Sequence, residues 1–163
     1  MTQVLVLVLA LLIGVVAGLR AMTAPAVVAW GAMLGWIDVT DKWSEWMGHP
    51  ITVTVLTILL IGELITDQLP KTPSRKVPAQ FAARLITGGF AGAVIGSAFF
   101  SVAGTISALG AGVIGAVLGT MAGAELRSRL AASNNGKDRP GAFIEDFIAV
   151  AGGFLVAFLV SLV

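Results

Sequence analysis

Long apolar runs, separated by a few charges and prolines, dominate this sequence and constrain what it can fold into. A bilayer's hydrocarbon core is about 30 Å thick and takes roughly 20 apolar helical residues to cross. Stretches 2–21, 51–69, 79–100, 102–126 and 141–163 match that length, and a shorter one, 25–37, follows Pro25. Charged residues make up only 12% of the chain, against about 25% in soluble domains, and mean hydropathy is +0.96. Backbone groups in lipid find no water, so each run must satisfy its own hydrogen bonds as a helix. The expected fold is an all-α, polytopic transmembrane helical bundle of five full spans plus one short or re-entrant segment. Residues 1–163 form a single transmembrane domain in this reading.

The same composition excludes whole classes of function. Ten basic residues against nine acidic ones give a net charge of +1, which offers no field for nucleic acid. With no Cys and a single His, His49, there is no thiolate or imidazole set for a metal centre and no cysteine nucleophile. Neither a P-loop, a Gly-x-Ser-x-Gly elbow nor a His-Glu-x-x-His pair occurs. No catalytic residue, metal or cofactor is expected, and the chain does not read as an enzyme.

Val4 to Ile37 is interrupted only by Arg20 and by Thr23-Ala24-Pro25. As one helix it would be about 50 Å long, so it must bend or turn back at the proline. The first run lacks the preceding Lys or Arg of a signal peptide and reads as a retained span. Basic residues cluster in loop 70–78 (Lys71, Arg75, Lys76) and loop 127–140 (Arg127, Arg129, Lys137, Arg139), which predicts both loops to be cytoplasmic. If segment 25–37 returns outward, Arg20 and Arg84 fall on that side too, Lys42 is the one basic residue outside, and both termini lie outside. The alternative is a first helix running outward with 25–37 re-entrant. Loop 38–50, with Asp38, Asp41, Glu45, Trp43 and Trp46, suits an interface.

Small residues supply close backbone approach between helices in lipid. Gly88, Gly92 and Gly96 recur with glycine-zipper spacing of four, as do Gly115, Gly119 and Gly123, with a shorter pair at Gly14 and Gly18. Spacing of four puts each set on one helix face. Such faces pack neighbouring spans or form a homodimer seam. Similar stretches also recur: Gly14 to Arg20, Gly62 to Asp67 and Gly119 to Arg127 each end a helix with Gly and charge. Pro78-Ala-Gln-Phe81-Ala-Ala-Arg84 can be laid on Pro140-Gly-Ala-Phe143-Ile-Glu-Asp146. A parallel repeat of helical hairpins would produce this, and so would shared Gly/Ala-rich composition.

Charge inside the bilayer costs about 2.5–3.5 kcal/mol at a helix centre on insertion scales, so such residues are usually paired or functional. Glu63 and Asp67 share a helix face by their spacing of four, and a hairpin through residues 71–77 would bring Arg84 to them as an ion-pair partner. Glu145 and Asp146 lie at the depth of Arg84, while Arg20 and Glu125 mark helix ends. Taken as one layer, five acids face two arginines. Carboxylates in excess must take up protons, bind a hard cation through oxygen ligands, or borrow Lys71, Arg75, Arg127 or Arg129 from the adjacent loops. Alternatively Arg20 and Arg84 hold an anionic lipid head group.

Gly18-Leu-Arg20-Ala-Met-Thr-Ala-Pro25, Gly62-Glu63-Leu-Ile-Thr-Asp67-Gln-Leu-Pro70, and Arg84 with Gly88-Gly89 resemble the bacterial membrane proteins grouped as domain of unknown function 4126. That pattern has Gly-x-Arg-Ala, Glu-x-x-x-Asp-Lys-x-Pro and a later Arg; here Gln68 stands where Lys is common. The resemblance covers nearly the whole chain. It implies that Arg20, Glu63, Asp67, Pro70 and Arg84 form one unit, without assigning an activity. The expectation is a bacterial inner-membrane protein, a homo-oligomer with a dimer favoured, that transports or conducts a small solute with proton or cation coupling through Glu63 and Asp67. The rival readings are a structural or assembly protein docked through its glycine faces, and an anionic-lipid-binding protein.

Overall fold

The computed structural model describes residues 2–67, 77–133 and 139–163. Pro70, Lys71, Arg75, Lys76 and Lys137 lie outside them. Among the described residues six α-helices follow in order: α1 Thr2–Leu19, α2 Thr23–Met33, α3 Pro50–Thr66, α4 Pro78–Phe99, α5 Val102–Ser133 and α6 Arg139–Val160, with a one-turn helix Glu45–Gly48 before α3. No strand occurs among the described residues. Helices α1, α4, α5 and α6 are long and apolar enough to cross a membrane; α2 and α3 are shorter apolar helices. The expected span 51–69 thus becomes a helix about 26 Å long, and α2 one of about 17 Å. The fifth span runs past residue 126 to Ser133, placing Arg127 and Arg129 on its helix.

Each boundary has a local cause. Chain direction changes after Leu19, where the helix is broken for three residues and resumes at Thr23 with Pro25 in its first turn, a position that loses no intrahelical bond. Gly35, with φ +74°, turns the chain after α2. His49 caps α3, its Nδ1 accepting from the Ile51 amide at 3.3 Å. Pro50 and Pro78 open α3 and α4.

Contacts along the helices establish their directions. A Cβ added to Gly115 would fall on the Leu11 backbone, one on Gly119 on Val15, and one on Gly14 on Gly112; α1 and α5 therefore run side by side in the same sense. A Cβ on Gly92 would lie 2.6 Å from the Ala108 oxygen and one on Gly96 2.5 Å from the Ala108 Cβ, so α4 and α5 form an antiparallel hairpin. Gly18 faces Ala116 and Thr120, and Gly88 faces Ala116, Gly112 and Ala17. These glycines bring α1, α4 and α5 into backbone contact within one chain.

Helix α2 is the buried centre. Thr23 to Ala29 and Gly31 are all buried, enclosed by α3, α4, α6 and the Glu45–Gly48 turn. Gly153 of α6 faces Val27 and Val16, and Gly31 faces Ile37 and Ala157. We call the end holding residues 20–22 the lower end and the end holding residues 35–50 the upper end. Helix directions then alternate from α1, running down, to α6, running up, and both Thr2 and Val163 lie at the upper end. Trp43 and Trp46 pack on Phe90, with ring centroids 5.9 Å apart in both cases. Ser44 bonds Ser97 at 2.7 Å, which seats the upper loop on α4.

One expected neighbour relation does not form. The α3–α4 hairpin implied by adjacency in sequence is absent as a packed pair: α3 rests on α2 and the Glu45–Gly48 turn. Helix α2 lies between them, packed against both.

Candidate functional site

A helix that stops in mid-bundle leaves carbonyls at its end and amides at the next beginning without intrahelical partners. At the α1–α2 break these groups are met by side chains from three other helices. Both carboxylate oxygens of Glu63, on α3, accept from consecutive backbone amides, Oε1 from Ala21 and Oε2 from Met22, each at 2.8 Å. Arg84, on α4, donates from Nη1 to the Gly18 carbonyl at 2.7 Å and to that of Leu19 at 3.4 Å. Thr120, on α5, has its Oγ1 3.3 Å from the same Gly18 oxygen and 2.8 Å from that of Ala116. The signs suit the helix dipoles, with a carboxylate at the positive start of α2 and a guanidinium at the negative end of α1.

Within the break itself sits Arg20, whose side chain is 0% exposed. It meets Asp67 at the end of α3 and Asp146 in the second turn of α6. Those side chains are 11% and 12% exposed. Glu145, next to Asp146, is buried and lies 3.6 Å from Nη2 of Arg127 on α5. All four of the later helices, α3 to α6, thus send polar side chains toward one level of the bundle; α3, α4 and α5 bind the backbone of the break, and α6 reaches it through Arg20.

Several sequence expectations meet here in altered form. Arg84 is expected to pair with Glu63 or Asp67; instead Glu63 binds amides, Asp67 binds Arg20, and Nη1 of Arg84 binds carbonyls. Glu125 does not join the layer: it is 61% exposed and pairs with Arg129 one turn along its own helix at 2.6 Å. The excess of acid shrinks accordingly, because Arg127 joins Arg20 and Arg84 opposite Glu63, Asp67, Glu145 and Asp146. Among the described residues no group of three or more His, Asp or Glu side chains gathers closely enough to hold a metal ion.

One participant carries no signal in sequence. Thr120 sits in a run of small residues and resembles filler until Gly18 is brought against α5. Thr23 opens α2 fully buried, and its hydroxyl has no hydrogen-bond partner among the described residues. Trp30 adds a tie higher on α2, its Nε1 donating to Thr57 at 3.0 Å.

These residues fall inside one matched region. No curated protein and no solved structure matches the chain. A family model does, over residues 7–163, a span that includes the break and every side chain that meets it. On that match, the chain belongs to the family described as Domain of unknown function (DUF4126).

Proposed function

We propose that this membrane protein moves a small solute across the bilayer, with proton coupling at Glu63 and Asp67, and that α3 is the moving element. The observation supporting this is the unequal attachment of α3. It buries only Val53 and Leu60 of its 17 residues, yet its lower end is held by two carboxylates, one on the α2 amides and one on Arg20. Removing the charge on either carboxylate weakens the hold where little apolar packing supports it. Asp146, on α6, keeps Arg20 compensated when Asp67 leaves, so release of α3 does not strand a buried cation. Broken helices with charge at their ends are the places where transporters build sites in the bilayer. In this reading the lower end, with Arg127 and Arg129, faces the cytoplasm of a bacterial inner membrane; the excess of basic residues supports the cytoplasmic side.

A structural role is the competing reading, favoured by the fact that the node's acids and bases already face partners within the chain. Proteoliposomes separate the two. Wild-type protein should collapse an imposed pH gradient faster than empty vesicles, and Asp67→Asn should abolish the difference while eluting as wild type. Wild-type vesicles as tight as empty ones would overturn the transport reading.

A further inference from the structure

We infer that the transported solute is a small organic ammonium ion, and that it binds in the cleft between α2 and α3 at the upper end. This rests on the transport reading and names its substrate class. The cleft has a volume of about 270 Å³ and is lined by Trp30 and Met33 of α2 and by Val53, Thr54, Thr57 and Ile58 of α3. Sites for drug-sized ligands run to about 300–1,000 Å³, so this one suits a smaller molecule. It lies between the buried helix and the helix that moves, and no ionisable side chain lines it among the described residues.

The polar atoms of the lining define the class. Thr54 Oγ1 donates to the Pro50 carbonyl at 2.8 Å, and Thr57 Oγ1 to that of Val53 at 2.7 Å. Trp30 Nε1 donates to Thr57 Oγ1 at 3.0 Å. Each side-chain donor is therefore spent, and a hydroxyl whose proton is committed still offers lone pairs. These side chains accept hydrogen bonds and have none left to give, so a carboxylate or phosphate finds no partner among them while an N–H or O–H group does. Two observations then favour a cation over a neutral donor. Trp30 brings an indole, whose face attracts ammonium groups. Loop 38–50, above the cleft, carries Asp38, Asp41 and Glu45 against Lys42, with His49 its other titratable residue. Its Glu45–Gly48 turn packs on both α2 and α3, so the field at the entrance is negative. The negative end of α2 and the positive start of α3 meet beside the cleft and offset each other. Two hydroxyls among apolar walls are too few for a metal cation, which takes about six oxygens. Glu63 lies six residues beyond Thr57 on α3, about 9 Å along the axis. A proton on Glu63 or Asp67 and an ammonium in the cleft bring the same charge to the same helix, which couples one to the other.

The test titrates wild-type protein in nanodiscs of uncharged lipid with three probes of one shape: cyclohexylammonium, cyclohexanol and cyclohexanecarboxylate. Cyclohexylammonium should raise the melting temperature in a saturating manner, by about 3 °C at about ten times its half-saturating concentration. Cyclohexanol should need about tenfold more, and cyclohexanecarboxylate should give no saturable response. Thr54→Phe, which fills the cleft from an exposed position, should elute as wild type and lose the saturable response, keeping only the shift that partition into lipid causes. No saturable response to cyclohexylammonium would overturn the site. Equal affinity for cyclohexanol or for cyclohexanecarboxylate would overturn the ammonium class, and a response unchanged in Thr54→Phe would overturn the cleft as its location. Should Thr54→Phe not fold, a protein with Trp36, Trp43 and Trp46 replaced by Phe reports from Trp30 alone. Its emission should change saturably with cyclohexylammonium, and unchanged emission would overturn the proposal. The vesicle assay stands apart: proton movement without cyclohexylammonium binding removes the substrate class alone, whereas binding without proton movement removes transport and leaves the site.

Discussion

Replacing Arg20 with Met keeps much of the side-chain volume and removes the charge, and the structure sets the scale of the result. Arg20 is wholly buried and its two acids are nearly so, so solvent screening offers little relief. Breaking a buried pair by deleting one partner costs about 3–5 kcal/mol, because the remaining charge is left uncompensated. Here two carboxylates are stranded, although Asp67 sits at a helix end and can turn toward the interface. About 3–5 kcal/mol is therefore the expected loss, read from reversible unfolding in mixed detergent micelles. The triple variant Arg20→Met, Asp67→Asn, Asp146→Asn removes every charge of the trio and should recover more than half of that loss, since swapping a whole buried ion cluster for neutral groups is often close to neutral. Coupling between Arg20 and Asp146 in a double-mutant cycle should reach about 1–3 kcal/mol. A single-variant loss under about 1 kcal/mol, or a triple variant no more stable than Arg20→Met, would refute the idea that these three side chains share one buried environment.

Glycine positions should divide sharply. Gly119→Ala drives a Cβ onto the Val15 backbone and should cost at least about 2 kcal/mol, while Gly152→Ala, with nothing within 4 Å of its added Cβ, should stabilise by up to about 1 kcal/mol through helix propensity; thermal unfolding of the two variants checks both signs. The buried Ser44–Ser97 pair should be unequal. Ser97 Oγ donates to the Val94 carbonyl at 2.8 Å, so Ser44 must be the donor between the two hydroxyls. Ser97→Ala then leaves the buried Ser44 hydroxyl unpaired at a cost of about 1–3 kcal/mol, whereas Ser44→Ala should cost about 1 kcal/mol; chemical denaturation that ranks them the other way refutes the assignment.

What the sequence made legible follows from how each feature is encoded. Helix positions were readable because charge and proline bound each apolar run, and lipid forces such runs to be helical, but five full spans were expected and four helices are long enough to cross. The break after Leu19 was readable from the length of the Val4–Ile37 stretch and from Pro25. Arg20, Glu63, Asp67, Arg84, Glu145 and Asp146 stood out by the cost of placing charge at their depth, and the structure brings them to one level. Partner choice was not readable. Sequence adjacency suggested that α3 packs on α4, but α2, lacking any polar face, buries itself between them and redirects Asp67 to Arg20. Glu63 could not be matched in advance because its partners are backbone amides, which have no letter in a sequence. The glycine rows showed which face approaches a neighbour, yet not that α1, first in the chain, would pack along α5. Arg84 and Asp146, aligned in the suggested repeat, do lie in early turns of upward-running helices at the same level, but one binds carbonyls and the other a guanidinium.

The account stands on one physical claim: at the α1–α2 break, ionised side chains from separate helices are in direct contact inside the membrane. Solid-state NMR in liposomes measures this most directly, as the dipolar coupling between the ¹⁵N guanidinium of arginine and the ¹³C carboxyl of aspartate. Wild type should show contacts of about 4 Å that are lost in Arg20→Met and diminished separately in Asp67→Asn and Asp146→Asn. A wild-type spectrum without such contacts, or one unchanged by removal of Arg20, would contradict it.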